Sequence, residues 1–203
     1  MYKKIINKLL KRYQLKNIPT DKKVVYLTFD DGPENSITQY VLDELDEYGF
    51  KATFFCRGDN AEKNPQLLDL LRAKGHSIGN HTYSHVHAYD TSTKDYLADV
   101  ERADGLLHTA LLRPPHGCLT LGTWLKLRKK YKLVYWALNS EDSAMELYDY
   151  KKAIVNLKTN IQHGDVILFH FCHRHEKETR QLLPEYLAWL REQGYHSDAI
   201  FLQ

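Results

Sequence analysis

The chain has 203 residues, 43% of them hydrophobic and 27% charged, a composition that suits one folded domain and excludes an extended disordered protein. A net charge of +2 creates no field of one sign, which argues against nucleic acid as a partner. Cys56, Cys118 and Cys172 are odd in number and lack CxxC spacing, so neither a disulfide framework nor a structural zinc site is expected.

Residues 1–15 interleave Lys3, Lys4, Lys8, Lys11 and Arg12 with Ile5, Ile6, Leu9, Leu10 and Tyr13. No apolar run there exceeds two residues, too short for the h-region of a secretory signal, and no stretch of the chain approaches the length of a transmembrane helix. A basic amphipathic helix on an anionic membrane and a solvated helix packed against the domain share this pattern, and the second is commoner. Membrane contact through residues 1–15 is therefore the minority expectation; on sequence alone the chain is expected to be a cytoplasmic monomer.

From Val24 onward, short β-branched or aromatic runs alternate with segments of helical period. The first strand is expected over Val24 to Phe29. A helix follows, capped at Asn35 or Ser36, with Ile37, Tyr40, Val41, Leu45 and Tyr48 on one face and a stop at Gly49. Next come a strand from Ala52 to Cys56, a helix about Pro65 to Lys74 closed by Gly75, a strand from Ser77 to Asn80 and a helix about Thr93 to Leu107. A short strand at Leu111 and Leu112, a helix about Thr120 to Tyr131 and a strand from Lys132 to Leu138 continue the alternation. A helix about Tyr150 to Ile161, a strand from Val166 to Phe169, and a helix marked by Leu183, Tyr186, Leu187 and Leu190 complete it. Six or seven such units nearly suffice to close a sheet, so an irregular (β/α) barrel over 24–203 is expected first and a doubly wound open sheet second, with 1–23 as a basic N-terminal segment.

The polar clusters fall just after predicted strands, where active sites of α/β folds lie. Consecutive side chains at a strand end project in opposite senses, so of Asp30 and Asp31 one can hold a metal while the other stays free to take a proton; a plain Asx-turn over Asp30-Asp31-Gly32-Pro33 is the alternative. His81 and His85, four apart, would share a face if they lay in a helical turn, close enough to grip one ion. A chance pair among eleven histidines is the competing explanation. Two His and one carboxylate would leave coordination positions open for water, and the ligands alone do not select the ion. His170 fits either a general acid or a buried structural histidine, and Arg113 either a bidentate carboxylate partner or an ordinary salt bridge. His173 and His175, near His170, are expected to be a polar loop rather than a second metal site.

In this order, Thr28-Phe29-Asp30-Asp31-Gly32-Pro33, Ala52-Thr53-Phe54-Phe55, Gly75 to Thr82, Arg113 to Gly117, and the spaced Leu168 and His170 resemble the motifs of the polysaccharide deacetylase family, the NodB homology domain or carbohydrate esterase family 4. The resemblance runs from about Val24 to Phe201. It implies a distorted (β/α) barrel of about seven units that hydrolyses the N-acetyl amide of amino sugars in chitin-like oligomers or peptidoglycan, with an N-acetylated glycan as partner. One divalent ion is implied, Zn2+ first, with Co2+ or Mn2+ as alternatives. By the same resemblance Asp31, His81 and His85 are the ligands and Asp30 the base. His170 is the acid, Arg113 orients the base, Asp142 tunes the acid, and the His116 backbone N–H assists the oxyanion.

Ser143 replaces the usual aromatic against the acetyl methyl, which leaves Leu168 as the expected apolar wall. His116 replaces a Tyr or Phe, and Ala137 and Phe171 stand where many members carry Asp. Members usually work in the cell envelope or outside the cell, in tension with the absence of an export signal. A hydrolase for another carbon–nitrogen bond and a silent glycan-binding domain are the alternatives.

Overall fold

The computed structural model of the protein describes residues 14–201. Most of the basic segment expected over residues 1–15 lies outside the described residues. Among the described residues no helix is long and apolar enough to cross a membrane.

The chain alternates strands and helices from β1 (Val24–Asp30) through α1 (Asn35–Tyr48), β2 (Ala52–Cys56), α2 (Gly58–Lys63), α3 (Pro65–Ala73), β3 (Ser77–Asn80), α4 (Thr93–Leu107) and β4 (Leu111–Leu112). It continues with α5 (Leu121–Leu127), β5 (Lys132–Leu133), β6 (Leu138–Asn139), α6 (Tyr150–Asn160), β7 (Val166–His170), α7 (Glu176–Glu192) and β8 (His196–Ser197). The strands form one sheet in the order β5-β4-β3-β2-β1-β7-β6, with β8 paired to β1 and every pairing parallel. The sheet curls into a distorted (β/α) barrel, as expected.

The two-residue period of the strands sorts side chains between two cores. Val25, Leu27 and Phe29 of β1, Ala52 and Phe54 of β2, and Ile167 and Phe169 of β7 pack outward against Ile37, Val41 and Leu45 of α1 and Leu183, Tyr186 and Leu187 of α7. Each such fully buried large apolar side chain contributes about 1.5–3 kcal/mol. The alternate residues Tyr26, Phe55 and Val166 face inward with Leu111, Val134 and Ile200. Asp30 and His170 stand opposite each other in the β1–β7 register, so both reach the C-terminal rim of the sheet on adjacent strands.

Local chemistry sets the helix ends. Ser92 caps α4 by accepting from the Asp95 N–H, Thr120 caps α5 through the Thr123 N–H, and Asp149 caps α6 through the Lys152 N–H. Gly49 ends α1 at φ 65°, a conformation that favours glycine.

Two expectations need correction, and two elements lie outside them. The run Lys132 to Leu138 is not one strand but β5 and β6 separated by an irregular stretch, so these two strands end the sheet path at opposite sides. The N-cap of α1 is Glu34 rather than Asn35 or Ser36; its side chain makes no cap bond, and its N–H donates to Thr38 Oγ1 at 3.0 Å. The short helix α2 and strand β8 were not expected. α2 carries Asp59, Asn60, Glu62 and Lys63 with no apolar period, and β8 is two residues long.

Candidate active site

The sharp turn after β1 separates the two aspartates. Asp31 adopts φ 82° and its N–H bonds Phe55 O, while Asp30 stays in the strand. Beyond β3 the chain carries His81 to His85 through an irregular loop, with positive φ at Thr82 and His85. The helical turn expected to align these histidines is absent. Their rings meet, with centroids 5.1 Å apart, because the loop folds back, held by Asp99, which accepts from the Tyr83 and Ser84 N–H groups.

Asp31 Oδ1 lies 3.5 Å from His81 Nε2 and 3.3 Å from His85 Nε2. Burial lowers both imidazoles to a pKa of about 4, so they are neutral and these approaches are not ion pairs. His81 Nδ1 lies 2.7 Å from Arg113 O; since a carbonyl only accepts, Nδ1 carries the proton and Nε2 presents its lone pair. Burial works against the Asp31 carboxylate, but in the acid range where it titrates the protonated rings of His81, His170 and His85 outweigh it and hold its pKa below the usual range. Asp31 Oδ1 is buried without a hydrogen-bond partner. Two neutral imidazoles and a carboxylate converge on one gap, and the carboxylate oxygen is otherwise orphaned, a set that fits a divalent cation.

Asp30 is 3% exposed, and Arg113, fully buried, answers it. Arg113 Nη1 donates to Asp30 Oδ1 at 2.7 Å and to Thr28 Oγ1 at 2.8 Å, while Nη2 donates to Tyr135 O at 2.9 Å. Its guanidinium also lies 4.2 Å from the centre of the Phe55 ring. Burial raises the Asp30 pKa to about 6, with Arg113 and His170 limiting the rise. Oδ2 is left on the side of His81 Nε2, 3.8 Å away.

His170 stands beside Asp30 on the neighbouring strand β7. Its Nδ1 meets Asp142 Oδ1 at 2.6 Å and its backbone N–H donates to Asp142 Oδ2 at 2.8 Å, with Thr179 Oγ1 adding a further donor at 3.2 Å. Burial alone would lower the His170 pKa, but Asp142, followed by Asp31 and Asp30, raises it to about 9. The imidazolium therefore donates its Nδ1–H to Asp142 as a hydrogen bond and directs Nε2–H elsewhere.

Asp30, Asp31, His81, His85 and His170 line a cavity of about 410 Å³ that also takes in His116, Ser143 and Leu168, whereas Arg113 and Asp142 stand behind its lining. His116 sits at φ 57° in the 3-10 turn Pro115–Gly117. Phe171, at a position where Asp had been the comparison, is fully buried in the outer core beside Phe29 and Phe54 and does not face the site. Sequence reasoning missed Trp136, a large apolar lining residue besides Leu168, and also Arg57 and Cys172; of the pair expected as a polar loop, His173 is exposed but His175 is buried at the cavity. Parity offered a signal for one of them, since Cys172 lies two residues beyond His170.

The sequence profile described as polysaccharide deacetylase matches residues 17–136. The chain belongs to the polysaccharide deacetylase family. It is 30% identical over 186 residues to a peptidoglycan-N-acetylglucosamine deacetylase of Bacillus cereus, covering 88% of this chain and 86% of that one. It is also 30% identical over 203 residues to the peptidoglycan-N-acetylmuramic acid deacetylase PdaA of Bacillus subtilis, covering 95% and 76%. A solved peptidoglycan N-acetylglucosamine deacetylase superimposes with a TM-score of 0.85 at 27% identity, covering 95% of this chain and 94% of that one.

Proposed function

We propose that this polysaccharide deacetylase family member hydrolyses the N-acetyl amide of amino sugars in a bacterial glycan, peptidoglycan N-acetylglucosamine before chitin-like oligomers, and releases acetate. The observation that carries this reading is the pairing of a buried carboxylate and a protonated imidazole at the lining of one cavity: Asp30, held by Arg113, and His170, held by Asp142. Asp31, His81 and His85 would hold one divalent ion, Zn2+ first. That ion supplies Lewis acidity to the acyl oxygen and makes water a better acid.

Above about pH 6 Asp30 is a carboxylate, with Oδ1 engaged by Arg113, so Oδ2 is the atom that takes the proton of the attacking water. The water oxygen bonds to the acyl carbon. His170, protonated up to about pH 9, gives its Nε2 proton to the amide nitrogen as the carbon–nitrogen bond breaks, and Asp142 holds the ring in place by its Nδ1–H. The His116 backbone N–H is assigned to the developing oxyanion, a contact worth about 2.7–4 kcal/mol. Leu168 and Trp136 are assigned to the acetyl methyl, with the small Ser143 also lining the cavity. The catalytic domain would span 24–203.

Acetate release from peptidoglycan fragments, chitin oligomers and N-acetylglucosamine tests the reading, with metal-free protein, protein supplied with Zn2+ or Co2+, and Asp30→Asn. Metal-dependent acetate that disappears in Asp30→Asn is expected. No acetate from a metal-loaded chain would refute it in favour of another amide substrate or a silent glycan-binding domain.

A further inference from the structure

The cavity wall beyond β7 holds polar groups for which the chemistry above has no use. After His170 the chain passes Cys172 and the 3-10 turn His173–His175. Cys172 Sγ, one ring nitrogen of His175 and one Asp31 carboxylate oxygen all lie within 4.8 Å of one another. The residues are 5% and 6% exposed at Cys172 and His175, and the thiol is not in a disulfide. His175 Nδ1 is buried without a hydrogen-bond partner. A buried imidazole nitrogen left unpaired is costly in a native protein and calls for a partner outside the polypeptide.

The neighbouring histidine is engaged differently. His173 is half-exposed and its ring faces Glu176 at 2.8 Å and Glu34 at 3.6 Å, so the ligand candidate in this loop is His175 alone. The turn thus turns one histidine outward to carboxylates and the other inward to a thiol.

We propose that Asp31, Cys172 and His175 form a second seat for a thiophilic divalent cation, distinct from the seat of His81 and His85 and sharing Asp31 with it. Thiolate, imidazole and carboxylate are the donors Zn2+ takes, whereas Mg2+ and Ca2+ prefer an oxygen shell. The two oxygens of one carboxylate allow Asp31 to serve both seats. On binding, the Cys172 S–H bond breaks, its proton goes to solvent and a sulfur–metal bond forms, with no change of oxidation state. Cys172 and His175 line the substrate cavity, so an ion in this seat occupies space that substrate needs.

The seat shares only Asp31 with the proposed catalytic ion, and the two can be separated. Full-length protein, reduced and stripped of metal, is titrated with Co2+; absorption reports thiolate-to-cobalt charge transfer, and elemental analysis after dialysis counts ions per chain. The wild type is expected to show the charge-transfer band and two ions per chain. Cys172→Ser, close to isosteric, should lose the band and keep one ion, with His175→Ala as the second variant and circular dichroism checking the fold of each. His81→Ala/His85→Ala should keep the band and one ion. A saturated wild type without the band overturns the proposal, as does a band that survives Cys172→Ser or vanishes in His81→Ala/His85→Ala. A wild type that binds one ion, always with the band, would instead support this seat and refute the catalytic one.

Discussion

Replacing Asp142 by Asn separates the charge of that side chain from its shape. Asp142 is fully buried and receives the His170 N–H, the His170 ring and Thr179. The amide can still accept from Nδ1 but brings no negative charge, so the pKa of His170 should fall from about 9 back to its ordinary 6.5 or lower. At about pH 8 the protonated fraction of His170 then drops from roughly 0.9 to roughly 0.03, a loss of about thirtyfold in turnover, whereas at about pH 6 the loss is less than about twofold. Acetate release measured across pH gives the alkaline limb of kcat directly. It should move down by more than one unit in Asp142→Asn while the acid limb stays in place. An equal loss of turnover at both pH values, with the alkaline limb unmoved, would refute His170 as the acid tuned by Asp142.

Asp30→Asn should lower kcat by about 10²–10⁴-fold and leave zinc binding intact by calorimetry, whereas His81→Ala should weaken both. Arg113→Ala leaves Asp30 buried without its cation; a stability loss of about 3–5 kcal/mol is expected in urea unfolding, and a smaller one would mean that water reaches the lumen. His76, His81 and His85 have folded pKa values of about 4, all from burial, against 6.5 unfolded, so their contribution is complete above 6.5 and lost as pH falls through 4. The Tm of metal-free protein should drop over that window, and a flat Tm would contradict the neutral assignment. Gly117→Ala puts a Cβ 2.7 Å from the Trp136 ring at φ 62°, which should displace that wall and raise KM for acetylated substrate more than it lowers kcat.

The parts of the fold legible in the sequence are those set by local chemistry. β1 could be read because its alternation stops at Asp31-Gly32-Pro33, and α4 because Ser92 caps a run that buries Tyr96, Val100 and Ala103. The break between β5 and β6 could not, since residues 132–138 keep an apolar pattern while Leu15 pairs with Val134 and redirects the chain. The sequence spacing of His81 and His85 pointed to a helical turn, but a loop shaped by Asp99, sixteen residues beyond Tyr83, brings the rings together. Trp136, Arg57 and His175 enter the cavity only through tertiary folding, which no single-sequence period encodes.

The hydrogen bonds of Arg113 join the candidate site to the architecture that carries it. One guanidinium ties β1, through Thr28 and Asp30, to the stretch that precedes β6, through Tyr135, across the interior of a sheet whose two end strands do not pair with each other. Loss of the Asp30 carboxylate would leave a sealed-in cation and a loosened girdle. The residue that serves the proposed base is thus also the one that steadies the closure of the barrel, so a change at either partner is felt by both.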